Sequence, residues 1–119
     1  MAPTVRLGDG LHVSPLGFGG MALTPVYGEV DPTDALRTLH HAVDAGVTFI
    51  DTADVYGAGS NEELIAQLLR DRRDQVQLAT KFALVGSPAG GYSDVRNDPA
   101  YIRHAVDRSL RRLGTDVID

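Results

Sequence analysis

Three side chains in the sequence have the chemistry to move a proton together: Asp51, Tyr56 and Lys81. Asp51 follows the apolar run VTFI, Tyr56 comes five positions later, and Lys81 ends a second such run. If both runs are neighbouring parallel strands, about 4.8 Å apart, Asp51 and Lys81 lie together at their carboxyl ends, where α/β proteins place their chemistry. Tyr56 can then swing back over them, and we predict one catalytic group.

A phenol beside an ammonium group is a candidate general acid. Two charges about 4 Å apart at an effective dielectric near 20 attract by roughly 4 kcal/mol, which lowers a tyrosine pKa from about 10 by two or three units before desolvation subtracts from it. Tyr56 would then protonate a carbonyl oxygen as negative charge develops there, while Asp51 holds Lys81 in place. The same residues also fit a purely structural Asp51–Lys81 ion pair beside an ordinary loop aromatic.

Composition limits the class of protein. The chain has 119 residues, is 43% hydrophobic, carries a formal net charge of −5 and contains no cysteine. We therefore expect one globular domain without disulfides, a metal site or a nucleic-acid partner. With no apolar run of signal-peptide or membrane-span length, we expect no membrane association and a cytoplasmic location. A solvated helix face is the interpretation of the arginine cluster Arg103, Arg108, Arg111 and Arg112.

Helix signals occur three times. Asp31-Pro32 and Asp98-Pro99 each combine a capping carboxylate with a proline in the first turn, and Ser60 with Glu63 has capping-box spacing. Apolar stripes at helical spacing follow each signal, and Gly46 and Gly114 end the first and third helices.

Strand signals alternate with these helices. The opening stretch predicts a hairpin that turns at Gly8-Asp9-Gly10, followed by extended runs at 16–19, 47–53 and 76–82. We expect the glycine-rich segment 86–97 to be a long loop forming one wall of a pocket, and TDVID to begin another strand. The order predicts an α/β fold that closes as an open doubly wound sheet or as part of an eightfold barrel.

The stretch GFGGMA, from Gly17 to Ala22, also matches the dinucleotide fingerprint G-x-G-x-x-A. That fingerprint needs a helix opening at its third position, whereas Pro25 and Gly28 follow here before any helical period begins. The context favours a glycine turn between a barrel strand and its loop.

Four stretches together resemble the aldo-keto reductases, particularly bacterial NADP-dependent aldehyde reductase and pyridoxal reductase-like members: LGFGGMAL, GVTFIDTADVYGAGSNEEL, LATKF and SLRRLGTDVID. The resemblance covers essentially the whole chain. It implies the N-terminal portion of a (β/α)8 TIM barrel: a β-hairpin, three βα units and the start of strand four.

The resemblance also implies an activity, the reduction of aldehydes or ketones with hydride from NADPH. At the matching positions Tyr56 would be the general acid, Lys81 the residue that lowers its pKa, and Asp51 both the partner of Lys81 and a contact to the nicotinamide ribose. The backbone around Gly20 and Met21 would approach the cofactor.

One departure from the family is large. The family's catalytic histidine follows the motif that begins TDVID, beyond Asp119, and by position none of the four histidines replaces it: His12, His40, His41 and His104. We therefore expect residues 1–119 to form a partial domain, truncated before that histidine and the main cofactor clamp, inactive alone and prone to self-association through exposed barrel edges. The alternatives are a non-catalytic cofactor-binding or regulatory barrel subunit and an inactive fragment that needs a complementary half.

Overall fold

The computed structural model describes residues 3–87, 89 and 91–119. Strands and helices alternate along most of the chain, as an α/β fold requires. In chain order the elements are β1 (Val5–Leu7), β2 (Leu11–Val13), β3 (Gly17–Gly19), α1 (Pro32–Asp44), β4 (Phe49–Asp51), α2 (Ser60–Arg72), β5 (Gln77–Ala79), β6 (Leu84–Gly86), β7 (Tyr92–Val95) and α3 (Pro99–Leu113).

A three-stranded parallel sheet in the order β3-β4-β5 is the centre of the fold. Its register aligns Gly19 with Asp51 and Asp51 with Ala79. The predicted α/β order and the opening hairpin are confirmed, although the strands are shorter than the apolar runs that predicted them. Asp51 is thus the last residue of β4, and Lys81 lies just beyond the end of β5.

The core lies between this sheet and the helices that connect its strands. Ile50 of β4 and Leu78 of β5 are completely buried, and each helix turns its apolar stripe toward them. The remaining buried members of the cluster are Leu39, Val43, Ile65, Leu68, Leu69, Val76 and Leu113. This packing fixes the carboxyl ends of the three strands at one edge of the sheet.

Two helix starts follow the predicted capping chemistry and one does not. The Asp31 carboxylate accepts hydrogen bonds from the backbone N–H groups of Thr33 and Asp34 at 2.8 and 3.1 Å, and Asp98 caps α3 in the same way. The prediction of a capping box formed by Ser60 and Glu63 is wrong. Ser60 already has helical backbone angles, and the residue before α2 is Gly59, which has no side chain to accept a bond.

The glycine-rich segment is not simply a loop. β6 and β7 pair antiparallel, with Leu84 opposite Val95 and Val85 opposite Asp94, so the described ends of the segment form a β-hairpin. The prediction of a long loop was wrong because β-prone residues flank the glycines and can pair across them. Pro88 and Gly90, within the predicted loop, lie outside the described residues.

The final residues run beside β5 without forming a regular strand. The Asp119 backbone N–H donates to the Leu78 carbonyl at 3.1 Å, and the Asp119 carboxylate accepts from the Leu78 N–H at 2.9 Å. Arg73 donates to the same carboxylate at 2.7 Å. At the predicted start of strand four, the described residues therefore show one backbone hydrogen bond to β5 and no regular strand. Among the described residues, no helix has the length and apolar character needed to cross a membrane.

Candidate active site

Lys81 lies between the two side chains that the sequence analysis grouped with it. Its Nζ donates a short hydrogen bond to Asp51 Oδ1, and donates to the Thr52 carbonyl at 2.9 Å and to the Tyr56 hydroxyl at 3.3 Å. The same nitrogen is 5.0 Å from the centroid of the Tyr56 ring. The structure thus brings all three predicted catalytic side chains into one contact group at the carboxyl edge of the sheet.

The charge on Lys81 is well supported by these contacts. Partial burial alone would lower the pKa of Lys81, but hydrogen bonds to Asp51 and Tyr56 outweigh it, and the pKa of Lys81 is raised. The side chains of Lys81 and Asp51 are 49% and 43% exposed, so their ion pair contributes only about 0–1 kcal/mol to stability. Its chemical consequence is a fixed positive charge beside a phenol.

Tyr56 is held by a turn that explains the sequence YGAG. Gly57, Ala58 and Gly59 all have positive φ angles, of 59°, 53° and 99°. A Cβ atom on Gly57 would overlap the Ser60 hydroxyl, and a Cβ on Gly59 would lie 2.8 Å from Arg112 Cδ. Glycine is therefore required on both sides of Ala58 for conformational and packing reasons.

A buried amide connects the ends of β3 and β4. Asn61, in the first turn of α2, accepts a hydrogen bond from the Thr52 hydroxyl at 2.6 Å and donates its Nδ2 to the Gly20 carbonyl at 2.7 Å. Thr52 and Asn61 are almost completely buried. The residue that follows Asp51 is thereby fixed to α2.

A buried carboxylate makes the corresponding connection to β5. Glu62 is 0% exposed; it accepts from the Thr80 hydroxyl at 2.7 Å and from Arg112 Nε at 2.6 Å. Arg112 is only 22% exposed, so the interpretation of the arginine cluster as a solvated face is wrong for this residue. Sequence reasoning missed Asn61 and Glu62, although they precede Ile65 by four and three positions and so share its buried helix face.

Comparison with known proteins identifies this arrangement. A sequence model of the aldo/keto reductase family matches residues 15–119. The chain belongs to the aldo-keto reductase family. The three parallel strands of this aldo-keto reductase chain and their connecting helices form the N-terminal part of a (β/α)8 barrel.

Solved aldo-keto reductases are similar in sequence and structure. A holo-form aldo-keto reductase from Bacillus halodurans is 40% identical, with a TM-score of 0.83 over 100% of this chain and 39% of its own. A glycerol dehydrogenase from Gluconobacter oxydans is 36% identical (TM-score 0.79; 98% and 37% covered). A Klebsiella pneumoniae aldo-keto reductase in complex with NADP and acetate is 32% identical (TM-score 0.72; 100% and 38% covered). The chain spans about two fifths of the length of these proteins.

The predicted cofactor-binding residues of this aldo-keto reductase chain, Gly20, Met21 and Asp51, differ in their exposure. Gly20 is buried, and a Cβ on it would lie 2.8 Å from the Asp51 carbonyl oxygen, so its glycine is required for packing. Met21 is half-buried, and the neighbouring Gly19 is exposed with open space beside it. The Asp51 carboxylate is 43% exposed and can accept a hydrogen bond from a ribose hydroxyl. That Asp51, Gly20 and Met21 contact a nicotinamide cofactor remains a prediction.

A cavity of about 660 Å³ lies behind the Tyr56 turn, between the β6–β7 hairpin and α3. Asp54 lines it together with Tyr101 and Arg108. Burial and the nearby charge of Glu62 raise the pKa of Asp54, against the opposing effect of Arg108 and Arg112. The hairpin therefore forms a cavity wall; that this wall contacts substrate remains a prediction.

Proposed function

We propose that the barrel to which this chain contributes reduces aldehydes or ketones to alcohols, reversibly, with NADPH as the hydride donor and Tyr56 as the general acid. The observation that carries the proposal is the contact of one ammonium group with both Asp51 and Tyr56. Membership of the aldo-keto reductase family and the NADP complex of a Klebsiella relative support oxidoreduction with a nicotinamide cofactor.

The proposed step uses each side chain for a different purpose. NADPH, when bound, supplies a hydride to the carbonyl carbon. Tyr56 gives its hydroxyl proton to the carbonyl oxygen, so the carbonyl becomes an alcohol and Tyr56 becomes a phenolate. The Lys81 ammonium lies 3.3 Å from the Tyr56 oxygen and stabilises the phenolate electrostatically. Asp51 keeps the ammonium charged and oriented. Alcohol oxidation follows the same path in reverse.

The proposed cofactor contacts are the Asp51 carboxylate, toward the nicotinamide ribose, and the backbone near Gly20 and Met21. Asp51 is half-exposed beside Lys81, which supports this assignment. The substrate proposed is a small-molecule carbonyl compound. A cytoplasmic location remains a prediction from the sequence.

The proposal includes a requirement for more of the barrel. The sheet has three strands in the described residues, and the similar solved proteins are more than twice as long as the chain. We expect residues 1–119 to turn over substrate only together with segments that supply the remaining strands, a histidine after strand four and the main cofactor clamp.

A chimera tests the activity directly. Residues 15–119 replace the matching part of the Bacillus halodurans relative, and NADPH oxidation is followed with 4-nitrobenzaldehyde. Removing the Tyr56 hydroxyl (Tyr56→Phe) should lower kcat by about 10²- to 10⁴-fold, because the general acid is lost, while NADPH binding is kept. The matched control is Tyr27→Phe, since Tyr27 is 77% exposed and is not among the residues that Lys81 Nζ contacts.

Two results would count against this assignment. Normal turnover in Tyr56→Phe would remove Tyr56 from the role of proton donor. An unsubstituted chimera that binds NADPH but reduces no carbonyl compound would favour a cofactor-binding or regulatory subunit instead.

A further inference from the structure

The Glu62 carboxylate is completely buried and is bonded to the residue next to Lys81. Its two oxygens have different partners: Oε1 accepts from the Thr80 hydroxyl and Oε2 from Arg112 Nε. These partners come from the end of β5 and from the last turn of α3. A single side chain on α2 is thus bonded to two other elements.

The hydrogen bond between Glu62 and Thr80 restrains the backbone next to Lys81. Thr80 is the residue immediately before Lys81, so a hydrogen bond at its hydroxyl at 2.7 Å fixes the point from which the lysine side chain departs. On the other side, the Lys81 carbonyl accepts from the Asp54 N–H at 3.2 Å. The lysine backbone is therefore held from the strand side by Glu62 and from the loop side by Asp54.

The hydrogen bond between Glu62 and Arg112 restrains a side chain that packs against the Tyr56 turn. Arg112 passes directly beneath Gly59, whose hypothetical Cβ would lie 2.8 Å from Arg112 Cδ and 3.1 Å from Arg112 Nε. Gly59 ends the turn that begins at Tyr56. Since Arg112 Nε is bonded to Glu62, the surface on which the turn rests is fixed by the same carboxylate that holds Thr80.

We propose that Glu62 and Arg112 are a positioning pair, which sets the separation of Tyr56 and Lys81 by supporting the Tyr56 turn and the Thr80 backbone at once. This inference rests on the proposed function, because the separation it controls is that of the proposed proton donor and its neighbouring charge. Glu62 touches neither substrate nor cofactor in this assignment, whereas Arg112 also lines the cavity of about 660 Å³.

The alternative is a pair that only stabilises the fold, and the chain offers a comparison. Arg72 and Asp44 also join two helices, at 2.8 Å, but the Asp44 side chain is 64% exposed and neither residue adjoins a catalytic position. Of these two ion pairs, Glu62–Arg112 is the one that connects helix packing to the predicted site.

Lys81 is the only lysine in the chain, which makes a direct test possible. In protein labelled with ¹³Cε-lysine, without added lysine residues, one resonance reports the pKa of Lys81. Its raised pKa depends on contacts with Asp51 and Tyr56, so loss of the correct separation in Glu62→Gln should shift it down toward the ordinary lysine value. Glu63→Gln is the matched control: it removes the same charge from the same helical turn, but Glu63 is exposed.

A second pair of variants keeps the test decisive if Glu62→Gln does not fold. Thr80→Val removes only the hydroxyl that reaches Glu62, whereas Thr80→Ser retains it. We expect the pKa of Lys81 to fall in Thr80→Val and to stay unchanged in Thr80→Ser. A folded Glu62→Gln or Thr80→Val protein whose Lys81 titrates as in the unsubstituted chain would overturn the inference.

Turnover provides the independent readout. In the chimera, Glu62→Gln should lower kcat by roughly 100-fold with little change in KM, the cost of a displacement of about 1 Å at reacting groups. If the Lys81 titration moves as expected while Tyr56→Phe leaves turnover intact, the positioning role holds and the proposed function fails. If the titration does not move, the positioning role fails whatever the activity.

Discussion

Lys81 has a raised pKa although about half of its side chain is exposed, because an acceptor lies on each side of its nitrogen. Asp51 supplies a full negative charge, and Tyr56 supplies an oxygen on which negative charge would form during proton transfer. The residue-scale arrangement therefore favours the charged lysine before any ligand is present. This is a form of preorganisation, since the stabilising charge needs no reorientation when the proton leaves.

The raised pKa predicts how stability depends on pH. A cation whose folded-state pKa exceeds its unfolded value of 10.5 stabilises the fold fully below that value, and this contribution is lost as the pH rises through the folded-state pKa. Urea unfolding of the unsubstituted chain and of Asp51→Asn should therefore differ at neutral pH, and the difference should shrink above about pH 10.5. Because the pair is half-exposed, we expect a difference of about 1 kcal/mol or less. A difference that is constant across this range would contradict the assignment.

The catalytic candidates were predictable from the sequence, but their supports were not. Asp51, Tyr56 and Lys81 stand at or just after strand ends, and strand ends can be located from apolar runs. Glu62 and Arg112 are fifty positions apart, and their pairing depends on how α2 packs on α3. No local pattern encodes that packing.

At the scale of elements, one predicted capping residue, Asp31, caps its helix and another, Ser60, does not. Asp31 precedes its helix in extended backbone, where a side chain can turn back onto the first N–H groups. Ser60 has the right residue type, but it is the first helical residue, after a left-handed glycine. The sequence pattern alone could not distinguish these cases, because the glycine turn at Tyr56 moves the helix boundary by one residue.

A pair of alanine substitutions tests this distinction. Asp31→Ala should lower the free energy of unfolding by about 1 kcal/mol, because two backbone N–H groups lose their acceptor. Ser60→Ala should change it by about 0.5 kcal/mol or less, as at a position without a cap. Denaturant unfolding measures both. An equal loss of unfolding free energy in the two variants would show that Ser60 does cap α2.

The β6–β7 hairpin marks another limit of prediction at this scale. Glycine, proline and serine in 86–97 indicate a loop, and the residues flanking them have strand propensity but no clear alternation. Pairing across the segment decides the outcome, and pairing depends on a partner strand that a single short run does not specify.

At the scale of the whole molecule, the described sheet has a free edge at β3, and β5 is bordered only by the last residues of the chain. A groove of about 500 Å³ between β5 and α3 adds exposed apolar side chains, among them Phe82, Val106 and Val117. Unpaired edges and apolar grooves both favour association between chains.

We therefore predict self-association of the isolated chain. Sedimentation velocity should show larger species as the protein concentration rises, and Val106→Glu, which places a charge in the groove, should shift the population toward monomer. Val26→Glu is the control, because Val26 is also exposed but does not line the groove. A chain that remains monomeric throughout, or an equal effect of both variants, would refute this role of the groove.

The position of Arg112 beneath Gly59 has a consequence for how the molecule assembles. Synthesis releases residues 1–81 first, and these already contain the three parallel strands and all three catalytic candidates. The turn that presents the phenol nevertheless lacks its support until α3 docks. The three strands are thus synthesised before α3, whereas the reactive geometry requires the helix–helix contact that α3 makes.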